Sequence, residues 1–191
     1  MSDDHVELRT GVSWTEFLAV VRGKRTSERV TYLDGELEVV SPGANHEDVK
    51  SLIGILFERY LCELRIDGIA SGSWLQTVKA LRIGIEPDES YIFGTTRRLD
   101  RCDLAIEVIA TSGTTRKLEI YRRLGVPEVW FWIRGRITIY VLGDAGYTAV
   151  PRSRFVPELD PALLERLLHH RSYLAATDAL LAELAAAKPP R

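Results

Sequence analysis

The spacing of hydrophobic residues near the N-terminus predicts a short helix and then a β-hairpin. The segment SWTE at residues 13–16 has the form of a capping box ahead of apolar residues at helical spacing, and this helix is predicted to end near Gly23. Strand-type residues then lie on both sides of Asp34 and Gly35, a dipeptide that readily adopts the positive φ angles of a two-residue hairpin turn. Pro42 ends the predicted hairpin.

The remaining pattern predicts further helices and strands. Apolar residues at helical spacing from Val49 to Leu64 predict one long amphipathic helix over about residues 46–65, with Asn45 as its N-cap. The later elements are predicted to be strands within 72–94, a buried strand at 104–109, a helix at 114–124 ending at Gly125, three strands within 127–150, and a tail of one or two helices from Asp160. The predicted class is mixed α/β, or α+β.

Length and composition are those of an ordinary globular domain. The chain has 191 residues, of which 46% are hydrophobic and 27% charged, so it can bury a core and shows no fibrous, disordered or membrane signature. We predict one domain over residues 1–160 and a helical extension over 161–191, which packs on the same domain or is used in dimerisation. A homodimer is therefore one expected assembly.

The charge balance and the N-terminus narrow the expected partners. Twenty-five basic and 27 acidic side chains give a net charge of −2, so a nucleic acid would be held by a local basic patch. The acidic, polar N-terminus and the lack of a long apolar run predict a cytoplasmic protein with no membrane partner, in which Cys62 and Cys102 are free thiols. The candidate patch residues, each of which could equally be a solvated surface arginine, are Arg97, Arg98, Arg101 and Arg116.

Glu107 is a candidate functional residue because it lies inside the apolar run from Leu104 to Ile109. An unpaired charge in a buried strand is strongly unfavourable, so this carboxylate needs a partner. A salt bridge to an arginine of the preceding loop, or exposure at a strand edge, would explain Glu107 as well as a functional role would.

The segment from Ile85 to Ile109 offers a second acidic residue. Its apolar ends flank a polar, arginine-rich centre, so we expect it to fold back on itself as two antiparallel strands. If the loop is symmetric about residues 97 and 98, Asp88 lies opposite Glu107, with Cβ atoms about 4.5–5.5 Å apart. Two carboxylates this close repel each other unless one is protonated or a cation such as Mg²⁺ lies between them.

Two further residues are candidates by their position in the chain. Lys117 lies at the start of the helix that follows the Glu107 strand, with Tyr121 on the same face, and could reach a cation site if the helix packs over that strand. Glu36, in the hairpin, could add a third carboxylate. The ordinary alternatives are a solvated lysine and an exposed strand glutamate.

Five segments are similar, in order and spacing, to the Uma2 family, also known as DUF820, of restriction-endonuclease-like proteins. They are YLDGELEVVSPGANHE, IEPDESYIF, DLAIEVIATS, KLEIYRRLGVPEVWFWI and ITIYVL, and the resemblance covers about residues 13–160. It implies the fold of the PD-(D/E)xK nuclease superfamily, a restriction-endonuclease-like core in which a mixed β-sheet is flanked by helices, here followed by the C-terminal helical tail.

The resemblance implies a role for each matching position. Asp88 matches the motif aspartate, Glu107 the second acidic ligand, and Glu36 the early acidic residue. His46 matches a histidine often found after the SP dipeptide, where it can be structural.

The chain departs from the superfamily pattern in two places. Ile109 stands where most of the superfamily has a lysine, and Lys117 of the following helix is expected to supply that lysine in this family. An aspartate that family members commonly have shortly before the helical lysine is missing from the segment SGTTRK, in which Ser112 or Thr114 could cap the helix.

The activity implied by the resemblance is metal-dependent hydrolysis of nucleic-acid phosphodiester bonds by an endonuclease, with DNA as the expected substrate. Asp88 and Glu107 would hold Mg²⁺ or Mn²⁺, Glu36 would assist, and Lys117 would act on the attacking water and the phosphate. The candidate patch arginines would contact the phosphate backbone. The alternative is a catalytically weak or inactive nuclease-fold module that acts in nucleic-acid or protein binding.

Overall fold

The computed structural model of the protein describes residues 4–109, 114–170 and 172–187, so Ser112 lies outside the described residues. The strands are β1 (His5–Arg9), β2 (Arg29–Leu33), β3 (Glu36–Ser41), β4 (Gly68–Ala70), β5 (Gln76–Val78), β6 (Ile83–Ile85), β7 (Glu89–Phe93), β8 (Leu104–Ile109), β9 (Glu128–Ile133), β10 (Arg136–Gly143) and β11 (Gly146–Val150). The helices are α1 (Trp14–Gly23), α2 (Ala44–Glu63), α3 (Thr114–Leu124), α4 (Pro161–Leu167) and α5 (Tyr173–Ala187). The mixed α/β class is confirmed, and β1 is an additional strand.

The N-terminal helix and hairpin form as the sequence predicts. The Ser13 hydroxyl accepts the Glu16 N–H at 3.3 Å, and the Glu16 carboxylate accepts the Ser13 N–H at 2.7 Å, which is the predicted capping box. In the hairpin turn, Asp34 has a φ of 52° and Gly35 a φ of 99°. Positive φ at both central residues matches the right-handed twist of the strands on either side.

The long helix α2 begins slightly earlier than predicted. Gly43, whose backbone is extended (φ −80°, ψ 170°), is the N-cap, so the prediction of Asn45 as the cap is wrong. The Gly43 N–H donates to Asp4 Oδ1 at 2.8 Å, and Asp4 is 39 residues earlier in the chain. The spacing of nearby residues could not predict a helix start that depends on so distant a partner.

The strands divide into two sheets. Sheet A is antiparallel, with the order β1-β3-β2-β6-β5. Sheet B has the order β11-β10-β9-β8-β7-β4, in which β8 and β9 pair in parallel and the other neighbouring strands pair antiparallel. Because α3 connects these parallel strands, it lies over one face of sheet B, as helices of such crossovers do.

Side chains from both faces of sheet B enter hydrophobic clusters. On one face, Trp130 and Ile106 pack with residues of α2, α4 and α5. On the other face, Ala105 and Phe131 pack with α3 and with residues of β6, which belongs to sheet A. The far face of sheet A is covered by α1 through Phe17. Glu107 is two residues from Ala105 along β8 and therefore points to the same face of the sheet, the one that α3 covers.

The C-terminal tail forms two helices that contribute to the main core. Leu164 and Leu167 of α4, and Ala176 and Leu180 of α5, are buried in the same cluster as the α2 residues. A role of the tail in dimerisation stays a prediction. Among the described residues, no helix combines the length and the apolar character needed to cross a bilayer. Both cysteines are free thiols, as predicted.

Gly84 of β6 is a position where any added side chain would clash with the core. A Cβ atom at Gly84 would lie 2.6 Å from Cζ of Phe17, a fully buried ring that stacks on Tyr32 with centroids 4.7 Å apart. We therefore expect Gly84→Ala to lower the free energy of unfolding in urea by about 1–3 kcal/mol, as overpacking does.

Gly23 provides the matched control for this substitution. A Cβ atom at Gly23, the last residue of α1, would have no neighbour within 4 Å. Gly23→Ala should leave the free energy of unfolding unchanged or raise it by about 0.4–1 kcal/mol. Equal effects of the two substitutions would show that the Phe17 contact does not restrict Gly84.

Candidate active site

Asp88 and Glu107 lie opposite each other at one end of the β7–β8 hairpin. The pairing of Glu89 with Ile106 confirms the predicted register, in which position 88 faces position 107. Both side chains are buried, Asp88 at 3% and Glu107 at 0% exposure. The Val108 N–H donates to Asp88 Oδ2 at 2.8 Å, so the loop residue Asp88 is held against β8.

Helix α3 brings Lys117 and Tyr121 to Glu107. Lys117 Nζ lies 2.5 Å from Glu107 Oε2, and the Tyr121 hydroxyl donates a hydrogen bond to Glu107 Oε1. These two residues are one helical turn apart, so they project from the same face of α3. The lysine that follows Glu107 by ten positions therefore reaches the carboxylate because α3 packs over β8.

The surroundings of Asp88, Glu107 and Lys117 shift their pKa values in different directions. Burial, together with the Asp88 charge, raises the pKa of Glu107 to about 7 against the opposing effect of Lys117. Burial alone would raise the pKa of Asp88, but the hydrogen bond from His46 and the charge of Lys117 hold it below its usual value. Burial would lower the pKa of Lys117, but Glu107 and Asp88 raise it, which favours the ammonium form.

His46, in the first turn of α2, lies between two carboxylates. Its Nε2 is 3.1 Å from Asp88 Oδ1, and its Nδ1 is 3.1 Å from Asp4 Oδ2. Burial would lower the pKa of His46, but the bonds and charges of Asp88 and Asp4 outweigh this and raise it. The doubly protonated ring donates to both carboxylates, whereas a neutral ring has one N–H to donate.

A small cavity of about 30 Å³ opens beside Asp88 and Lys117. Glu38 of β3 and Arg29 of β2 line it together with His46. The volume is roughly that of one water molecule in the liquid, so the cavity has space for a water or a small cation.

The structure places Glu36 outside this cavity. Glu36 is on the same face of β3 as Glu38 but nearer to the hairpin turn. Its side chain is 57% exposed, and its Oε2 lies 2.5 Å from Arg116 Nη2. Assistance of catalysis by Glu36 stays a prediction, and Glu38 is the β3 glutamate that lines the cavity together with Asp88.

The three loop arginines lie at the other end of the hairpin. The five residues of β7 separate Asp88 from the loop, and at about 3.4 Å a residue this is a distance of about 17 Å. Arg98 is bonded to Asp103, Arg101 Nη1 lies 3.8 Å from Asp100, and Arg97 is exposed. A phosphate at Asp88 is beyond their reach, and contact with a more distant part of a nucleic acid stays a prediction.

Asp88 and Glu107 are a carboxylate pair of the kind that binds Mg²⁺ in proteins. Among the residues that the structure describes, no three His, Cys, Asp or Glu side chains are arranged to hold a metal ion by themselves. Mg²⁺ is usually bound by one or two carboxylates, with waters and phosphate oxygens as the other ligands. Asp88 and Glu107 supply such a pair, and a carboxylate oxygen that accepts one hydrogen bond keeps a second lone pair.

Sequence reasoning missed Glu38, Arg29 and Asp4. Strand alternation could have placed Glu38 and Arg29 on one face of the hairpin. Thr31 pairs directly with Glu38, and Arg29 is two residues from Thr31 on the same strand, so all three side chains point to the same face. Nothing in the periodicity indicated Asp4, which precedes a strand of five exposed residues.

Comparisons with known proteins support the same kind of fold. A model of the Uma2 family, described as "Putative restriction endonuclease", matches residues 14–175. The structure is similar to the crystal structure of a "putative nuclease belonging to DUF820" from Anabaena variabilis, with a TM-score of 0.57 and 17% sequence identity over 88% of this chain and 99% of that chain. No curated protein sequence matches the chain. The structural match confirms the predicted nuclease-like fold.

Proposed function

The chain belongs to the Uma2 family of restriction-endonuclease-like proteins, and from this membership we propose that it is a metal-dependent endonuclease that hydrolyses phosphodiester bonds, with DNA as its substrate. The observation that carries the proposal is the meeting of Asp88, Glu107 and Lys117, which come from a loop, a strand and a helix. Two buried carboxylates beside a half-buried ammonium group form a costly arrangement that a structural role does not require.

We propose Asp88 and Glu107 as the residues that hold Mg²⁺ or Mn²⁺. A bound divalent ion lowers the pKa of a water ligand and withdraws charge from a phosphate oxygen. The Tyr121 hydroxyl and the Val108 N–H hold the two carboxylates in place from the side of the protein. The proposed ligands are therefore fixed before the substrate arrives, as electrostatic stabilisation of a transition state requires.

Lys117 is proposed to act on the substrate as a charged donor. Its side chain is only 12% exposed, and its pKa is raised, so it presents an ammonium group at neutral pH. A positive charge within a partly closed cavity stabilises negative charge that develops on the phosphate. Glu38, which also lines the cavity, is proposed to orient the attacking water through a hydrogen bond.

The arginines are proposed to contact nucleic acid outside the reacting phosphate. Arg116 lies at the start of α3, next to Lys117, and its ion pair with Glu36 is near the protein surface. Arg97, Arg98 and Arg101 lie on the hairpin loop, where they could contact backbone phosphates away from the cut site. Such contacts position nucleic acid without reading its sequence.

The test of the proposed function is cleavage of supercoiled plasmid DNA. We expect nicking in the presence of Mg²⁺ or Mn²⁺ and none after addition of EDTA, because the two carboxylates supply no chemistry to the phosphate without the ion. Parallel assays on linear duplex, single-stranded DNA and RNA would identify the substrate. If the protein neither binds Mn²⁺ in calorimetry nor cuts any of these substrates, the endonuclease proposal is wrong.

The second candidate is a nuclease-fold module without activity. It is favoured by the hydrogen bonds of Glu107, both of whose oxygens are bonded to groups of the protein. Nucleic-acid binding without cleavage in the plasmid experiment would support this candidate.

A further inference from the structure

Asp4 extends the candidate active site into the N-terminal strand. Strand β1 pairs with β3 along its whole length, with His5 opposite Ser41, and this pairing brings Asp4 to the start of α2. There, Asp4 Oδ1 accepts the Gly43 N–H at 2.8 Å, and Oδ2 lies 3.1 Å from His46 Nδ1. The family model matches residues 14–175, so Asp4 lies before the matched region.

We propose that Asp4, acting through His46, positions the Asp88 carboxylate of the site. The proposal rests on the proposed function, in which Asp88 is a metal ligand. It makes Asp4 a positioning residue, because the His46 ring lies between its carboxylate and that of Asp88.

The His46 ring is held at both of its nitrogens. It is 7% exposed, and the two nitrogens lie at equal distances of 3.1 Å from Asp4 and Asp88. A ring bonded at one nitrogen can still rotate about that bond or flip, whereas a ring bonded at both has one orientation. Removal of the Asp4 carboxylate therefore frees the ring that contacts Asp88.

The Asp88 carboxylate depends on that ring for one of its two bonds. Oδ2 is fixed by the Val108 N–H, and Oδ1 by His46. With the ring free, the carboxylate can turn about the Val108 bond, and a metal ion that uses it loses a fixed ligand. Loss of a residue that orients a ligand typically weakens metal binding or activity about 10–100-fold.

Asp4→Asn separates the two contacts of Asp4, the one with the His46 ring and the one with the Gly43 N–H at the start of α2. The asparagine amide has one carbonyl oxygen, which can still accept the Gly43 N–H, and its NH₂ group can bond His46 only by donating to Nδ1 of a neutral ring. Asp4→Ala, which offers the ring no partner, is therefore measured beside it. Glu7→Gln is the matched control on the same strand, because Glu7 alternates with the cavity residue Val6 and is exposed, with its carboxylate 2.7 Å from Arg9.

The first measurement is the dissociation constant of Mn²⁺, by calorimetry on the full chain without nucleic acid. We expect Asp4→Asn to weaken Mn²⁺ binding about 10-fold or more, with a melting temperature within about 2 °C of wild type, and Glu7→Gln to bind as wild type does. In a His46→Gln background, Asp4→Asn should have no further effect, because its route to Asp88 is already removed. If the Asp4 and His46 substitutions weaken Mn²⁺ binding by independent factors that multiply, the proposal is overturned. Wild-type Mn²⁺ binding by a folded Asp4→Ala variant would overturn it as well.

The second measurement needs neither metal nor activity. Histidine labelled with ¹⁵N gives ring signals from the four histidines, and the His46→Gln spectrum identifies those of His46. Asp4→Asn should shift the Nδ1 signal of His46, and Asp88→Asn its Nε2 signal. If the wild type neither binds Mn²⁺ nor cuts DNA, the proposed function fails, and the ring signals then decide on the inference: an Nδ1 signal unchanged by Asp4→Asn overturns it.

Discussion

Replacing Glu107 with glutamine is expected to reduce metal-dependent cleavage about 10³-fold while the protein stays folded. A bound divalent ion contributes several kcal/mol to stabilising the transition state, and about 1.4 kcal/mol corresponds to a tenfold change in rate. Glutamine keeps the volume of the side chain and an oxygen that can accept the Tyr121 hydrogen bond, but it lacks the charge. The measurement is the initial rate of plasmid nicking at saturating Mg²⁺, with circular dichroism to establish that the variant is folded.

Glu119→Gln is the control for the loss of a carboxylate near this helix face. Glu119 is on α3 like Lys117, but its carboxylate is bonded to Arg122 and Arg123 at the surface. We expect it to cleave within about twofold of the wild-type rate, because it does not contact the site. Wild-type cleavage by Glu107→Gln, or an equal loss in Glu119→Gln, would show that Glu107 does not hold the ion.

The central part of the candidate site was predictable because its geometry is local. A hairpin with a polar loop and apolar ends has few registers that keep its buried residues on one face, and the symmetric one places Asp88 opposite Glu107. Helix α3 connects the parallel strands β8 and β9, so it is expected over one face of the sheet, and in the structure this is the face that includes Glu107. Strand pairing and helix period are therefore enough to bring Lys117 to that carboxylate.

The walls of the cavity were not predictable because they depend on how the two sheets pack. Glu36 and Glu38 are on the same face of β3, and strand alternation treats them as equivalent. Only the position of sheet A against β8 and α3 decides that Glu38 lines the cavity while Glu36 reaches Arg116. Asp4 is a stronger case, since its contact with His46 joins residues 42 positions apart through a strand with no buried residue.

A second glutamate, Glu128, is buried within an apolar strand as Glu107 is. Glu128 begins the apolar strand β9 and is also fully buried, next to Leu104 of β8. Its Oε1 accepts the Trp130 Nε1–H at 2.6 Å, and its Oε2 accepts the Arg154 N–H at 2.8 Å. Both partners are uncharged donors of the protein, whereas Glu107 faces an ammonium group and a second carboxylate. The partners, and not burial, distinguish a structural carboxylate from a candidate catalytic one.

Glu128→Ala is therefore expected to lower stability and to leave the chemistry intact. It deprives two buried N–H groups of their acceptor, and each such group costs about 1–3 kcal/mol, so the free energy of unfolding should fall by about 2–6 kcal/mol. Glu128→Gln should have a smaller effect, because its single carbonyl oxygen can accept from either Trp130 or Arg154. The measurement is urea unfolding followed by tryptophan fluorescence, at a temperature where the wild type is fully folded.

Cleavage per folded molecule completes the comparison of the two buried glutamates. Glu128→Gln should nick plasmid at the wild-type rate once the folded fraction is taken into account, while Glu107→Gln should lose cleavage with little change in its unfolding curve. Glu128→Gln remains informative if the alanine variant does not fold, since one of its two hydrogen bonds is kept. Glu128→Gln should not lose activity as Glu107→Gln does if the assignment is right, since the two glutamates share burial in this sheet, whereas it is Glu107 that contacts Lys117. An equal loss of activity in both variants would therefore remove the basis for assigning Glu107 as a metal ligand.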